Sequence, residues 1–565
     1  MAKKRVEAPA IVSAPGVFEE RHKVLLSRVE NLFSQKAPFM SLCQDIAENF
    51  YPARANFTYS RNVGEEYATG LATSYPLLVA RDLGDSMSSM LRPQGNQWFH
   101  MAVGDPDDRM DNAAKAWLEE KTKVQMRAMS DPVAMLSKAT HLTDHDWTNF
   151  GNGVLSLEVN RLKSALLFRN WHLRDMVWCE KYDGSVGLRG RNWKPTAREL
   201  AHLFKDRVHS NVTRKLTENN GAGAYSKVNV RHVVVPADEY DGPNPRNWPW
   251  ISLFIDVDSR HVMEEVGLRT GYYIVPRWFC PDDSQYARSP AVIAGLPDAR
   301  LMQQMTFTLL KAGEKAVDPP MIAIEEAVKS PIDIYPGGVT WASQDYDERL
   351  GEVLRPLTVD SRGFPLGINL LERTQSMLAS CFYIDKIHLP GAGREMTAYE
   401  VSQRIREYIQ QVMPLFQPVE QEYSAPLCED AATLLMAEGA FGPASDIPES
   451  LQGQNIRFRF ESPITEAEDQ AKVQQFQTAL ALSEQAAAYD PAAAKTVNIQ
   501  VALRDALKGG QVPAKWLRDE REMEAITAQE QQKAQAQQAM DMVGQGAAIA
   551  TEMGNAGQSL KQAAA

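Results

Sequence analysis

Cysteine is scarce in this chain. Five residues, Cys43, Cys179, Cys280, Cys381 and Cys428, are scattered over 565 positions with no CxxC pair. That excludes a disulfide framework and a thiolate zinc knuckle, and fits a reducing compartment. Long apolar runs are missing too: none approaches the roughly 20 residues of a membrane span. Positive charge is in deficit, with 60 Lys and Arg against 72 Asp and Glu and a net charge of -12. A surface built throughout to grip phosphate needs clustered cations, so any contact with nucleic acid is expected to be local and transient. The segment Met1-Ala2-Lys3-Lys4-Arg5 is basic but is followed by Val6, Glu7 and Pro9 rather than an apolar core. A soluble, cytosolic protein with no membrane partner is the expectation.

Catalytic signatures are also lacking. Gly391-Ala392-Gly393-Arg394 has neither the GxxxxGK[ST] order nor a preceding buried strand, which disfavours an ATPase. His141 and His145 stand at i, i+4 on one helix face, a metal-ligand spacing, but the Glu of HExxH is absent and no third ligand is evident. A solvated or interface helix turn is the plainer reading. Asp105, Asp107, Asp108 and Asp111 crowd one loop without the glycine and glutamate of an EF-hand. Asp385 and His388 lack a serine on a nucleophile elbow. Trp147, Trp171, Trp193, Trp248 and Trp250 suit core or subunit-interface anchors better than base-stacking platforms. The chain is therefore expected to have no catalytic residues, no cofactor and no metal.

What is present is 44% hydrophobic content over a long chain, enough for a large core divided into subdomains. From Phe18 to Phe50 apolar residues recur at helical spacing, predicting a helical hairpin broken near Pro38. A helix is expected over Ser74 to Leu91, a short strand at Trp98 to Met101, and helix again from 112 to 150, ending at Asn149-Phe150-Gly151-Asn152-Gly153. Strand signals, among them Val228 to Val235 and Trp250 to Ile255, dominate to about residue 280, interrupted by a helix from Thr196 to Phe204.

Ser289-Pro290 then opens a helix, with Ser as N-cap, that Asp318-Pro319-Pro320 stops. At about 1.5 Å per residue it is on the order of 40 Å long. Short strands and turns follow to 365. A second helix is expected from Leu366 to Ile387, broken at Pro390-Gly391-Ala392-Gly393, with a third opening at Met396 and kinked by Pro414, Pro418 and Pro426. The segment Ile456 to Phe460 reads as a strand with no sequence neighbour, expected to return to the earlier β region. Helix is expected over 465–523, followed by a Gln- and Ala-rich tail.

Four clusters in this order carry a family resemblance: Asp85-Ser86-Met87-Ser88-Ser89-Met90-Leu91-Arg92-Pro93 with Trp98-Phe99; Phe150-Gly151-Asn152-Gly153-Val154-Leu155; Pro276-Arg277-Trp278 with Tyr286-Ala287-Arg288-Ser289-Pro290; and Glu395-Met396-Thr397-Ala398-Tyr399-Glu400-Val401. Over residues 20 to 465 the chain resembles the portal proteins, or head-to-tail connectors, of short-tailed, double-stranded DNA bacteriophages. It departs from the family pattern at Ala287, where glycine is usual, and at Tyr399, where threonine is usual.

The resemblance implies an α+β portal fold. Its parts would be a mixed α/β wing (1–288), a stem helix (289–317), a small α/β clip (318–365), a second stem helix (366–387), a tunnel loop (388–396), a kinked wing helix (397–441), a returning wing strand (442–464), and a mostly helical crown or barrel with the tail (465–565). It implies a ring, commonly of twelve copies, at one capsid vertex of the virion, assembled in the host cytoplasm. The implied partners are double-stranded DNA in the channel, the terminase large subunit, major capsid and scaffolding proteins, and tail adaptor or nozzle proteins. The alternative is another head-tail ring component such as a tail adaptor.

Charge placement nominates residues for the channel. His388, Gly391, Gly393 and Arg394 would form the DNA-facing loop, with Lys386 just before it and Lys311 and Lys315 on the first stem helix. The same helix carries Leu301, Met302, Met305, Phe307, Leu309 and Leu310, apolar surface wide enough to pack in more than one direction. That suits contact with both its own subunit and a neighbour in a closed ring.

Overall fold

A computed structural model describes residues 11–12, 15–62, 64–93, 97–103, 112–160, 165–280, 284–324, 354–357, 363–384, 419–454, 456–460, 463–487 and 498–510, with isolated residues elsewhere. The fold class is α+β. In chain order the elements begin with α1 (Glu20–Gln35), α2 (Ala37–Phe50), α3 (Tyr75–Leu91), β1 (Phe99–Val103), α4 (Asn112–Met129) and α5 (Leu136–Phe150). A strand-rich stretch follows: β2 (Leu155–Asn160), β3 (Ala165–Asn170), β4 (Met176–Glu180), β5 (Val186–Trp193), α6 (Ala197–Phe204), α7 (Ser210–Thr217), β6 (Val230–Pro236), β7 (Trp250–Asp256), β8 (His261–Leu268) and β9 (Tyr273–Ile274). Then come α8 (Leu296–Val317), β10 (Met321–Ala323), β11 (Leu354–Pro356), α9 (Gly363–Cys381), α10 (Ala425–Ala437), β12 (Ile456–Phe460), α11 (Pro463–Ala487) and α12 (Ile499–Gly509).

Two compact units share these elements, one drawn from Met1–Trp98 and Gln125–Ala440, the other from Phe99–Val124 and Phe441–Ala565. The first is organised on a five-stranded antiparallel sheet, order β4-β5-β6-β7-β8. Period-two alternation sorts its side chains. Val233, Val235, Ile251, Leu253 and Ile255 face Leu25, Val29 and Leu32 of α1, while Val230 and Phe254 face Ala197, Leu200, Phe204 and Val212 of α6 and α7. Thr196 and Glu199 close a reciprocal capping box at the start of α6, fixing where that helix begins. A smaller sheet, β3-β2-β9, lies within the same unit. β8 was hard to foresee because Glu264 and Glu265 interrupt its apolar pattern. Both are buried, Glu264 accepting from Arg207 at 2.7 Å and Glu265 bonded to Tyr240 and to His22 at 3.2 Å.

The hairpin break expected near Pro38 falls at Lys36, and Pro38 itself sits in the first turn of α2, where its missing N–H costs nothing. Lys36 is itself buried, donating to the carbonyls of Leu173 at 2.6 Å and Met176 at 2.5 Å. α5 ends at Gly151, whose φ of 76° is left-handed. A Cβ there would lie 2.8 Å from the carbonyl of Ala287 and the backbone of Arg288 and Ser289, so two of the sequence clusters meet backbone to backbone at this glycine. Ala287 itself is buried and lies outside the left-handed region, bonded through its N–H and C=O to the Asn152 amide, so alanine fits where a glycine was expected.

The helix expected from Ser289 opens with a π-turn over Ala291–Gly295 before α8 proper. Ser289 acts as a cap, accepting from Val292 N–H at 3.3 Å and donating to Asn149 O at 2.6 Å. The partner helix expected over Leu366 to Ile387 begins at Gly363 and runs to Cys381, followed by a turn in which Tyr383 has φ 57°; residues 385–387 lie outside the described residues. Pro414 and Pro418 lie outside the described residues, and Pro426 lies in a continuous helical run, directly after a π-turn at Glu420–Ser424 that leads into α10. In the second unit β12 pairs antiparallel with β1, Phe99 opposite Phe460 and Val103 opposite Ile456.

Candidate functional site

The helix pair α8–α9, which flanks strands β10 and β11 in the chain, has two unlike halves. Its inner half is held firmly. Met302 and Leu378 are fully buried, and Phe382 packs on Phe50 of α2 with ring centroids 5.2 Å apart. Gln303 of α8 takes the N–H groups of Ala72 and Thr73 at 2.8 and 3.0 Å on its carbonyl and gives its amide to Thr73 O at 2.9 Å. Tyr75 donates to Gln375 O at 3.2 Å, tying α3 to α9, and Arg300 pairs with Asp45 of α2 at 2.8 Å.

The outer half is bare. Phe307, Leu310 and Val317 on α8, and Leu366, Ile368 and Leu370 on α9, are exposed, Leu366 by 73%. Several large apolar side chains exposed on one helix pair make it the candidate interaction surface of the described residues. Of the residues nominated for the channel, Lys311 and Lys315 are exposed on this half, and Lys311 Nζ lies 4.3 Å from the Phe307 ring centroid. Lys386, His388, Gly391, Gly393 and Arg394 lie outside the described residues, as do Asp105, Asp107, Asp108, Asp111 and Asp385. Beyond α8, β10 and β11 form a two-stranded antiparallel ribbon, Ile322 opposite Arg355.

The same unit holds buried polar pairs that sequence reading missed. Arg92, at the C-terminus of α3, forms a buried ion pair with Asp144 of α5, whose other oxygen accepts from Tyr423 at 2.8 Å. Burial opposes the Arg92 charge, but the Asp144 carboxylate outweighs it and holds the guanidinium above its ordinary pKa; Tyr423 is pushed well up, mainly by burial. Arg277, from the Pro-Arg-Trp cluster, reaches Glu422 through Nε at 3.1 Å and Nη2 at 2.5 Å, Glu180 at 2.9 Å and Gly184 O at 2.7 Å. Arg54 pairs with Asp146, and Asn170 donates to the same carboxylate at 3.1 Å. No local spacing announces these partners, because each pair is brought together by tertiary packing. Trp147 is buried against Trp278 at 4.4 Å, a core anchor as expected.

The match to known proteins follows this frame. The model of the family described as bacteriophage head to tail connecting protein matches residues 22–517. The chain belongs to that family. Among relatives of this connector, a probable portal protein of Bordetella phage BPP-1 is 22% identical over 457 residues, 80% of each chain. The portal protein of Salmonella phage epsilon15 is 22% identical over 545 residues, 94% of each chain. Two solved structures align more loosely. The neck of a native gene transfer agent particle, computed with C12 symmetry, gives TM-score 0.34 at 11% identity over 72% of this chain and 87% of that one. The virion of a native gene transfer agent particle gives 0.32 at 12% identity over 71% and 95%. Among the described residues of the connector, no helix is long and apolar enough to cross a membrane.

Proposed function

We propose that this connector is a portal protein: a ring at one capsid vertex, through which double-stranded DNA is packaged and ejected, on which terminase docks first and tail proteins later. The observation that carries the reading is the half-bare α8–α9 pair in a chain matched by the connector family over residues 22–517. Exposed Phe307, Leu310, Leu366 and Leu370 have a use when helix pairs from successive copies pack side by side around an axis, since a head-to-tail contact that closes makes a ring. α8 and α9 are then the stem, the β10–β11 ribbon belongs to the clip, and residues 388–396 form the tunnel loop.

The acidic balance supports passage rather than gripping. Each phosphate neutralised adds salt-dependent affinity that a moving duplex has to break, and a net charge of -12 keeps such contacts few. Lys311, Lys315, Lys386, His388 and Arg394 are the proposed transient contacts. The role is mechanical and structural, with packaging energy supplied by a separate ATPase. The testing experiment is electron microscopy of the purified full chain. Closed rings, expected to be twelvefold, with a channel wide enough for duplex DNA are the expected result; a chain that stays monomeric when mixed with its scaffold and capsid partners, or that hydrolyses ATP or cuts DNA, overturns it.

A further inference from the structure

The i, i+4 histidine pair on α5 acquires in the fold the third group that its sequence neighbourhood lacks. α3 packs across α5 and brings Asp85 onto the same spot, its Oδ1 3.0 Å from His145 Nε2 and 3.9 Å from His141 Nε2. The two imidazole rings stand edge to face with centroids 4.6 Å apart. One ligand atom from each of the three residues lies within 4.8 Å of the others, the one such group of three among the described residues. Metal–nitrogen and metal–oxygen bonds of about 2.0–2.1 Å at tetrahedral angles put neighbouring ligand atoms about 3.3 Å apart. The observed 3.0 and 3.9 Å bracket that spacing, so modest side-chain rotations close the site.

From this geometry we propose that His141, His145 and Asp85 bind one divalent transition-metal ion per subunit, of the zinc class, stapling α3 to α5. Two imidazole nitrogens and one carboxylate oxygen form a borderline donor set suited to Zn²⁺ or Co²⁺ and poorly suited to Mg²⁺ or Ca²⁺, which take oxygen ligands. The anchor is rigid. His145 has a side chain only 8% exposed, and Gly84 of α3 makes room for it: a Cβ at Gly84 would lie 2.6 Å from His145 Nδ1. The other two ligands, 51% and 49% exposed, sit on the solvent side, from which an ion enters and where water completes its coordination. Arg81 lies 4.0 Å from Asp85 Oδ2 and hydrogen-bonds Asp82 at 3.3 Å, so it adds positive charge beside the site without ligating. The role is structural: the staple joins the two helices that carry Arg92 and Asp144. The proposal stands independently of the portal reading.

The test is titration of the metal-stripped full chain with Co²⁺ in the visible range, followed by competition with Zn²⁺. The expected result is one equivalent per subunit, a d–d band of a nitrogen- and oxygen-ligated ion without the near-ultraviolet thiolate band that exposed Cys280 would give, and displacement by Zn²⁺. His141→Ala and Asp85→Asn alter half-exposed side chains and keep the fold, checked by circular dichroism; each is expected to weaken binding by about tenfold or more. Sub-stoichiometric binding, a thiolate band, or unchanged affinity in both variants would overturn the proposal and leave a plain His145–Asp85 hydrogen bond.

Discussion

Removing either member of the buried Arg92–Asp144 pair should cost far more than the pair itself contributes. Both side chains are under 10% exposed, Asp144 completely buried, and Tyr423 donates to the same carboxylate at 2.8 Å. In Asp144→Ala the Arg92 guanidinium stays buried, 5.0 Å from the Tyr423 ring centroid, with no counter-charge, and the Tyr423 hydroxyl loses its acceptor. Stranding one charge in this way costs about 3–5 kcal/mol. For a unit of this size, a Tm moves by roughly 2 °C per kcal/mol, so Asp144→Ala should melt roughly 6–10 °C lower, with Arg92→Met showing a loss of the same sign. The double variant leaves no uncompensated charge, and should melt no lower than the worse single variant. The assay is thermal unfolding of all four proteins at one concentration, read by near-ultraviolet circular dichroism. Single-variant shifts that simply add in the double variant would refute the reasoning, since independent sites are additive within about 0.5 kcal/mol.

Other consequences can be measured separately. Burial lowers the Lys36 pKa from its ordinary 10.5 to about 7, so the unfolded chain binds more protons across that interval and stability should rise with pH from 7 towards 10.5. That slope, up to about 1.4 kcal/mol per pH unit, should disappear in Lys36→Met, as followed by denaturant midpoints at pH 7, 8 and 9. Arg277→Lys keeps the charge but cannot reach Glu422, Glu180 and Gly184 together; a loss of about 2 kcal/mol is expected in unfolding, and full rescue by Lys would contradict the bridging role. Leu310→Glu on the bare half of α8 should leave the subunit folded but prevent ring closure, seen as a shift to small species in analytical ultracentrifugation. Deleting Gly391 to Arg394 should spare rings and impair genome filling or retention; particles that fill and hold DNA normally would remove the tunnel-loop assignment.

Local grammar made much of the fold legible. Ser289-Pro290 at one end and Asp318-Pro319-Pro320 at the other bound α8 to within its opening π-turn, because caps and prolines act through the backbone of their own residues. The β-branched and aromatic runs Val228 to Val235 and Trp250 to Ile255 announced strands for the same reason: that preference belongs to the residues of the strand itself. The bare apolar half of α8 was foreshadowed by a helix apolar on more than one side.

Tertiary structure decided what depends on partners distant in the chain. β8 carries two glutamates and reads as polar until Arg207, His22 and Tyr240 arrive to satisfy them. Lys36 looks like a surface residue at a helix break, and becomes a buried amine donating to the carbonyls of Leu173 and Met176 only because those segments fold over it. The strand at Ile456–Phe460 showed its own nature in sequence but not its partner; pairing with β1 is a choice made by register and packing. Asp85 completes the histidine pair because Gly84 lets α3 approach α5 closely enough. Sequence determined the elements, whose geometry is set within a few residues. Packing decided which charges are buried and paired, since that depends on what the rest of the chain places beside them.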